Sequence, residues 1–160
     1  MNNILTVNLL LNTVVFAIAA RLYLLPRLPD LAPKDVVLPI LLLHAMRHLG
    51  LMFLAPGAVF PGIPPQFAWP AALGDLTTAA LAVIALGAVV RGSHLARPLV
   101  GLFNHVGSVD LVSAITLATI NDAAPHMGAA YWIPAFWVPA LIVTHYVVFV
   151  LLGRRWIGAM

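Results

Sequence analysis

Leu41-Leu42-Leu43-His44-Ala45-Met46-Arg47-His48-Leu49-Gly50-Leu51 decides how the chain must be read. The stretch lies inside an otherwise apolar run from Val36 to Ala55, and a helix of about 20 apolar residues crosses the hydrocarbon of a bilayer. A guanidinium near the middle of such a helix costs roughly 2.5–3.5 kcal/mol even on the lenient insertion scale. At about 3.6 residues per turn, His44, Arg47, His48 and Leu51 share one face. The spacing therefore predicts a polar stripe turned into a helix bundle, where groups on other helices offset the cost of burying Arg47.

Composition places the whole chain in the same solvent. Of 160 residues, 62% are hydrophobic and only 8% charged, whereas a soluble domain carries about 25% charged residues. The chain has no Glu, one Lys (Lys34) and five Asp: Asp30, Asp35, Asp75, Asp110 and Asp122. Its net charge of +3 comes with no Lys/Arg-rich run, so nothing is built to neutralise a row of phosphates and nucleic acid is not an expected partner. The absence of Cys excludes disulfides, thiolate metal sites and a Cys nucleophile. No phosphate loop, dinucleotide fingerprint or hydrolase nucleophile motif occurs.

Apolar runs bounded by Pro, Gly and charge fall at about 4–25, 36–55, 70–91, 98–120 and 132–153. The expected fold is all-α, an integral membrane bundle of five transmembrane helices forming one domain over 1–160, with the lipid bilayer as its main partner. The first run is read as a retained span and not a cleaved leader, because no positive charge precedes it while Arg21 and Arg27 follow. Arg21, Arg27 and Lys34 flank the first connection, Arg91 and Arg97 the third, and Arg154 and Arg155 follow the last span. Connections 56–69 and 121–131 hold neither Lys nor Arg. Five spans thus put every basic residue except Arg47 on one side, which the positive-inside rule makes cytoplasmic. The N-terminus is then periplasmic and the C-terminus cytoplasmic.

Polar residues punctuate the other spans. Asn8 and Asn12 sit one turn apart on the first and are expected to hydrogen-bond a neighbouring helix. The loop 56–69 holds Pro56, Pro61, Pro64 and Pro65 ahead of Pro70, and is expected as an irregular connection at the interface, with Pro70 in the first turn of the third span. Asp75, at a depth close to Arg47 on an antiparallel helix, is its favoured partner, with Asp110 as the alternative. Asn104 and His105 precede Asp110 on the fourth span; His105 points elsewhere, and the turn with Asp122, Pro125 and His126 reads as ordinary and solvated. Tyr131, Trp132 and Trp137 form an outer aromatic belt and Trp156 marks the inner interface. Pro139 is deep enough to kink the last span and free a carbonyl near Ala135. His145 lies near mid-membrane, level with His44.

Ionisable groups inside spans normally face the bundle interior or water. His44 and His48, at i,i+4, could reach one metal ion, with His145 and Asp110 completing a nitrogen and oxygen donor set suited to zinc, iron or manganese. The lack of Glu argues against a bundle di-iron site. A b-type haem between His145 and His44 or His48 is a second cofactor reading. In a third, Arg47 anchors an anion or quinone carbonyl while His48 and Asp75 carry protons, with Asp110 and Asn104 in the same ligand- or proton-handling set.

The run His44 to Phe53, the Gly74-Asp75 step, Phe103-Asn104 through Asp110-Leu111, and Trp132-Ile133-Pro134 through Thr144-His145 resemble a group of small uncharacterised bacterial inner-membrane proteins. The resemblance covers most of the chain from about residue 38 onward. It implies a multi-span protein of the bacterial inner membrane and carries no activity with it. The resulting expectation is an intramembrane His/Arg/Asp site for a metal, cofactor or small ligand. The alternative is a non-catalytic accessory subunit, its polar residues specifying helix packing within an oligomer or membrane complex.

The charge pattern makes a topological prediction. Reporter fusions should place the two termini on opposite sides of the membrane, with the 56–69 loop on the N-terminal side. Both termini on one side would overturn the five-span reading.

Overall fold

The computed structural model describes residues 3–153; Arg154, Arg155 and Trp156 lie outside the described residues. The protein is an all-α bundle that has, among the described residues, five helices long and apolar enough to cross a membrane: Ile4–Arg27, Pro33–Leu54, Pro65–Val90, Ala96–Ile120 and Gly128–Gly153. Their regular parts are α1 (Asn3–Ala19), α2 (Pro33–Ala45), α3 (Pro65–Val90), α4 (Ala96–Ile120) and α5 (Val138–Gly153). α3 is central. It packs against α2, the segment that continues α2, and α4, through a face of small residues that includes Ala68, Ala71, Ala72, Ala79, Ala82 and Ala85. Small side chains let backbones approach closely where lipid removes any hydrophobic drive between helices. α1 is peripheral and lies against α5. Large apolar side chains such as Ile4, Leu11 and Val15 remain on its exposed surface.

The second span differs from the sequence expectation in one decisive respect. α2 ends at Ala45, and Met46–Leu54 continues as a 3₁₀-helix of nine residues. A 3₁₀-helix turns every three residues. The side chains that share the buried face are accordingly His44, Arg47, Gly50 and Phe53, while His48 and Leu51 are exposed.

Proline sets the other irregularities. Pro139 cannot donate to Ala135, and the chain before it runs as a π-helix over Ile133–Trp137. The freed Ala135 carbonyl accepts a hydrogen bond from Asn12 Nδ2 at 2.8 Å, and Asn8 Nδ2 donates to the Tyr131 hydroxyl at 2.7 Å. The two asparagines thus fasten α1 to the kinked span. Pro70, expected in a first turn, lies within α3 because the helix starts earlier, at Pro65. Nor is the turn at 121–127 purely solvated: Ala123 and Met127 are fully buried. Phe60 N–H donates to the His126 carbonyl at 2.9 Å, and Ala130 N–H to the Ala58 carbonyl at 3.0 Å, so the two outer connections are stitched together.

Three apolar clusters divide the interior, the smallest formed by Leu111, Val138 and Leu141. Of the two larger, one, at the end carrying the basic connections, includes Val37, Leu41, Ala85, Val100, Phe103 and Val147. The other, at the proline-rich end, includes Phe53, Phe67, Ala71, Met127 and Ala135. Arg47, Asp75, Asn104 and His145 lie between the two larger clusters in sequence on each helix, as a polar layer.

Asn12→Leu should loosen α1 by about 1 kcal/mol, the usual worth of an interhelical side-chain hydrogen bond. Adding Pro139→Ala, which returns an N–H for the Ala135 carbonyl, should recover part of that loss. Steric-trapping measurements of unfolding in bicelles would read both; no loss in Asn12→Leu would show that the bond does not hold α1.

Candidate functional site

Arg47 organises the polar layer. Its side chain has no exposed surface, and it reaches three helices from the 3₁₀ segment. Nε donates to Asp75 Oδ1 on α3 at 2.7 Å, and Nη2 to Asp110 Oδ2 on α4 at 2.5 Å. Nη1 donates to the Gly107 carbonyl at 3.3 Å and faces His145 Nε2 on α5 at 3.4 Å. Both expected carboxylates are therefore bound at once, where the depth argument favoured one. Every nitrogen of the guanidinium is engaged, and the planar fork lets one side chain address separate partners.

Each polar partner occupies a space left by a glycine. A Cβ built on Gly50 falls 2.2 Å from Asp75 Oδ2, one on Gly74 meets the Asp110 carboxylate, and one on Gly107 lies 2.6 Å from His145 Cε1. Glycine commonly marks close approach between membrane helices, but the fit of Gly74 to a carboxylate and of Gly107 to an imidazole depends on helix rotation.

The histidines are fixed by their neighbours. Asn104 clasps His145: its Nδ2 donates to the His145 carbonyl at 3.3 Å, and its Oδ1 lies 2.7 Å from Nδ1. An amide oxygen can only accept, so Nδ1 donates and the Nε2 lone pair is left to face Arg47. Asn104, placed by sequence in the ligand- or proton-handling set, thus orients an imidazole. His44 packs edge-on to Phe103 and beside His145, with ring centroids 5.0 and 4.3 Å away. Its Nε2 is 2.9 Å from Thr144 Oγ1, whose hydroxyl donates to the Ala140 carbonyl, and its buried Nδ1 has no partner. His105 bonds its own helix at the Gly101 carbonyl, outside the cluster.

His48 does not join them. It is exposed, and its Nδ1 lies 3.1 Å from the carbonyl of Ala45 on its own chain segment. The 3₁₀ turn rotates it away from the face that a regular α-helix would have given it. The metal set of His44, His48 and His145 is therefore not assembled, and among the described residues no group of three His, Asp or Glu side chains is arranged to hold a metal ion. The haem reading meets a separate obstacle. His44 and His145 rings are in direct contact, whereas two axial ligands must stand on opposite faces of a macrocycle.

The two carboxylates look in different directions. Asp75 lines a cavity of about 140 Å³ that runs toward the proline-rich end between α1, α3, α4 and the last span. Its remaining lining is apolar apart from Thr6 and Thr119. Asp110 lines a shallow groove between α3 and α4 on the outside of the bundle, beside Gly74, Thr77 and Ser113.

Fold and site together define a five-helix, membrane-type bundle built around a buried arginine bound to two aspartates. Residues 4–153 match the family described as a domain of unknown function (DUF8737), and the chain belongs to that family. Comparison with curated proteins and with solved structures gives no match.

Removing the guanidinium strands two carboxylates. Arg47→Ala should cost about 3–5 kcal/mol, the usual penalty for breaking a buried ion pair from one side. Arg47→Lys should recover little of it, because a single ammonium lacks the fork. The triple variant Arg47→Ala, Asp75→Asn, Asp110→Asn should be more stable than Arg47→Ala alone. Denaturant unfolding of detergent-purified protein would test the order, and equal, mild losses in all three would mean the centre is not buried.

Proposed function

We propose that the protein is an integral membrane protein that binds a small ligand at an intramembrane site, in the cavity floored by Asp75. The supporting observation is the placement of that carboxylate. Asp75 is 8% exposed and its Oδ1 is held by Arg47; among the described residues its Oδ2 has no hydrogen-bond partner, and no other charged side chain lines the cavity. A mostly apolar concavity with one oriented polar group is the usual form of a small-molecule site. The bacterial inner membrane is its proposed location, with the basic connections cytoplasmic and the cavity toward the periplasmic face.

Anion or quinone-carbonyl anchoring by Arg47 is the weaker form of this reading. The guanidinium is fully covered and its nitrogens already have partners. A non-catalytic accessory role is the competing reading, favoured by that same observation, since an arginine so committed also serves to lock four helical segments.

Filling the cavity separates the two. Ala114→Phe enlarges a cavity-lining side chain that itself makes none of the Arg47 contacts. Binding of small aromatic probes to the purified protein should be lost while thermal stability is kept. Wild-type protein that binds none of a panel of benzene-sized probes would favour the accessory role.

A further inference from the structure

With both carboxylates ionised, the polar layer is one positive charge short. Arg47 carries +1 against −1 on each of Asp75 and Asp110, its two salt-bridge partners, and no other salt bridge occurs among the described residues. His145 turns a lone pair, not a proton, toward Arg47 and so adds no cation to the sum. The other described Lys and Arg residues, Arg21, Arg27, Lys34, Arg91 and Arg97, flank the basic connections and not this layer. An uncompensated charge in a low-dielectric interior is costly, and a counter-charge placed next to it is correspondingly favoured.

The geometry points to a small organic monocation, an alkyl- or arylammonium ion, as the ligand of the Asp75 cavity. This rests on the reading of that cavity as a ligand site and specifies its chemistry. Asp75 supplies the carboxylate in the cavity wall, and Asp110, on the far side of Arg47, supplies the excess negative charge. Cavity size limits the apolar part. About 140 Å³ is close to the roughly 150 Å³ of an engineered cavity that admits benzene, so one ring or a short alkyl chain fits. Phe53 and Phe67, edge-to-face with centroids 4.9 Å apart, line the same space, and aromatic rings are favourable neighbours for a cation. An inorganic cation fits less well, because the wall offers a carboxylate and two threonine hydroxyls where a desolvated metal ion needs several more oxygens.

Three near-isosteric probes test the charge requirement: benzylammonium, benzyl alcohol and toluene, titrated calorimetrically into the full chain in nanodiscs. Benzylammonium should bind at least roughly tenfold more tightly than benzyl alcohol, as a compensating charge in a poorly hydrated site demands. Asp75→Asn should abolish that preference and leave benzyl alcohol binding in place. The wild-type selectivity needs no variant, so it decides the matter even if Asp75→Asn fails to fold. Benzyl alcohol or toluene binding as tightly as benzylammonium would overturn the cation assignment while leaving the cavity reading intact. No binding by any of the three would remove the ligand-site reading and this inference together. Cation preference that survives in folded Asp75→Asn protein would place the cation elsewhere and overturn the assignment.

Discussion

A guanidinium in the middle of a membrane-length bundle cannot be left to water, and most of this architecture follows from meeting that constraint. Arg47 is held by side chains or carbonyls from α3, α4 and α5. Those contacts fix how far each helix is rotated about its own axis, since Asp75, Asp110 and His145 must all point at one group. Apolar packing alone would specify rotation poorly, because lipid solvates leucine as well as a neighbouring helix does. Two larger apolar clusters flank this polar layer. α1 takes no part in this centre. It is secured instead by Asn8 and Asn12 to a carbonyl and a hydroxyl that the kinked last span presents.

The second span shows how backbone geometry redistributes chemistry. A rise of about 2.0 Å per residue in a 3₁₀-helix against about 1.5 Å in an α-helix lengthens the nine-residue segment by several ångströms. It also stacks every third residue. His44, Arg47, Gly50 and Phe53 line up as imidazole, guanidinium, carboxylate socket and aromatic wall, each from one position of the same ladder. Long 3₁₀ runs are uncommon and often accompany a hinge or functional segment; here the run carries the residue that binds all the others.

Much of the fold was legible in the sequence, and the reasons differ from one feature to the next. Five spans could be read because hydropathy and punctuation by Pro and charge are local properties, and the freed Ala135 carbonyl because Pro139 lacks an N–H. Depth along antiparallel helices placed His145 beside His44 and Asp75 beside Arg47, since a constant rise converts residue counts to height. Rotation was not legible to the same extent. Assuming 3.6 residues per turn put His48 on the inward face, and a switch to three per turn leaves no mark in the residues themselves that distinguishes it from an α-helix. For the same reason Asp75 and Asp110 appeared as alternatives, when the arginine fork takes both. The cavity was invisible, because it is bounded by side chains far apart in the chain, from Leu5 to Val138.

The glycine sockets give the polar layer a mechanical character. Asp75, Asp110 and His145 each fill a notch that a single methyl group would close. Close-packed interiors transmit such changes as displacements of whole elements and do not absorb them locally. A bulkier side chain at Asp75 would therefore press on the 3₁₀ segment at Gly50, and one at Asp110 on α3 at Gly74, so the size of each acid sets the spacing of two helical segments.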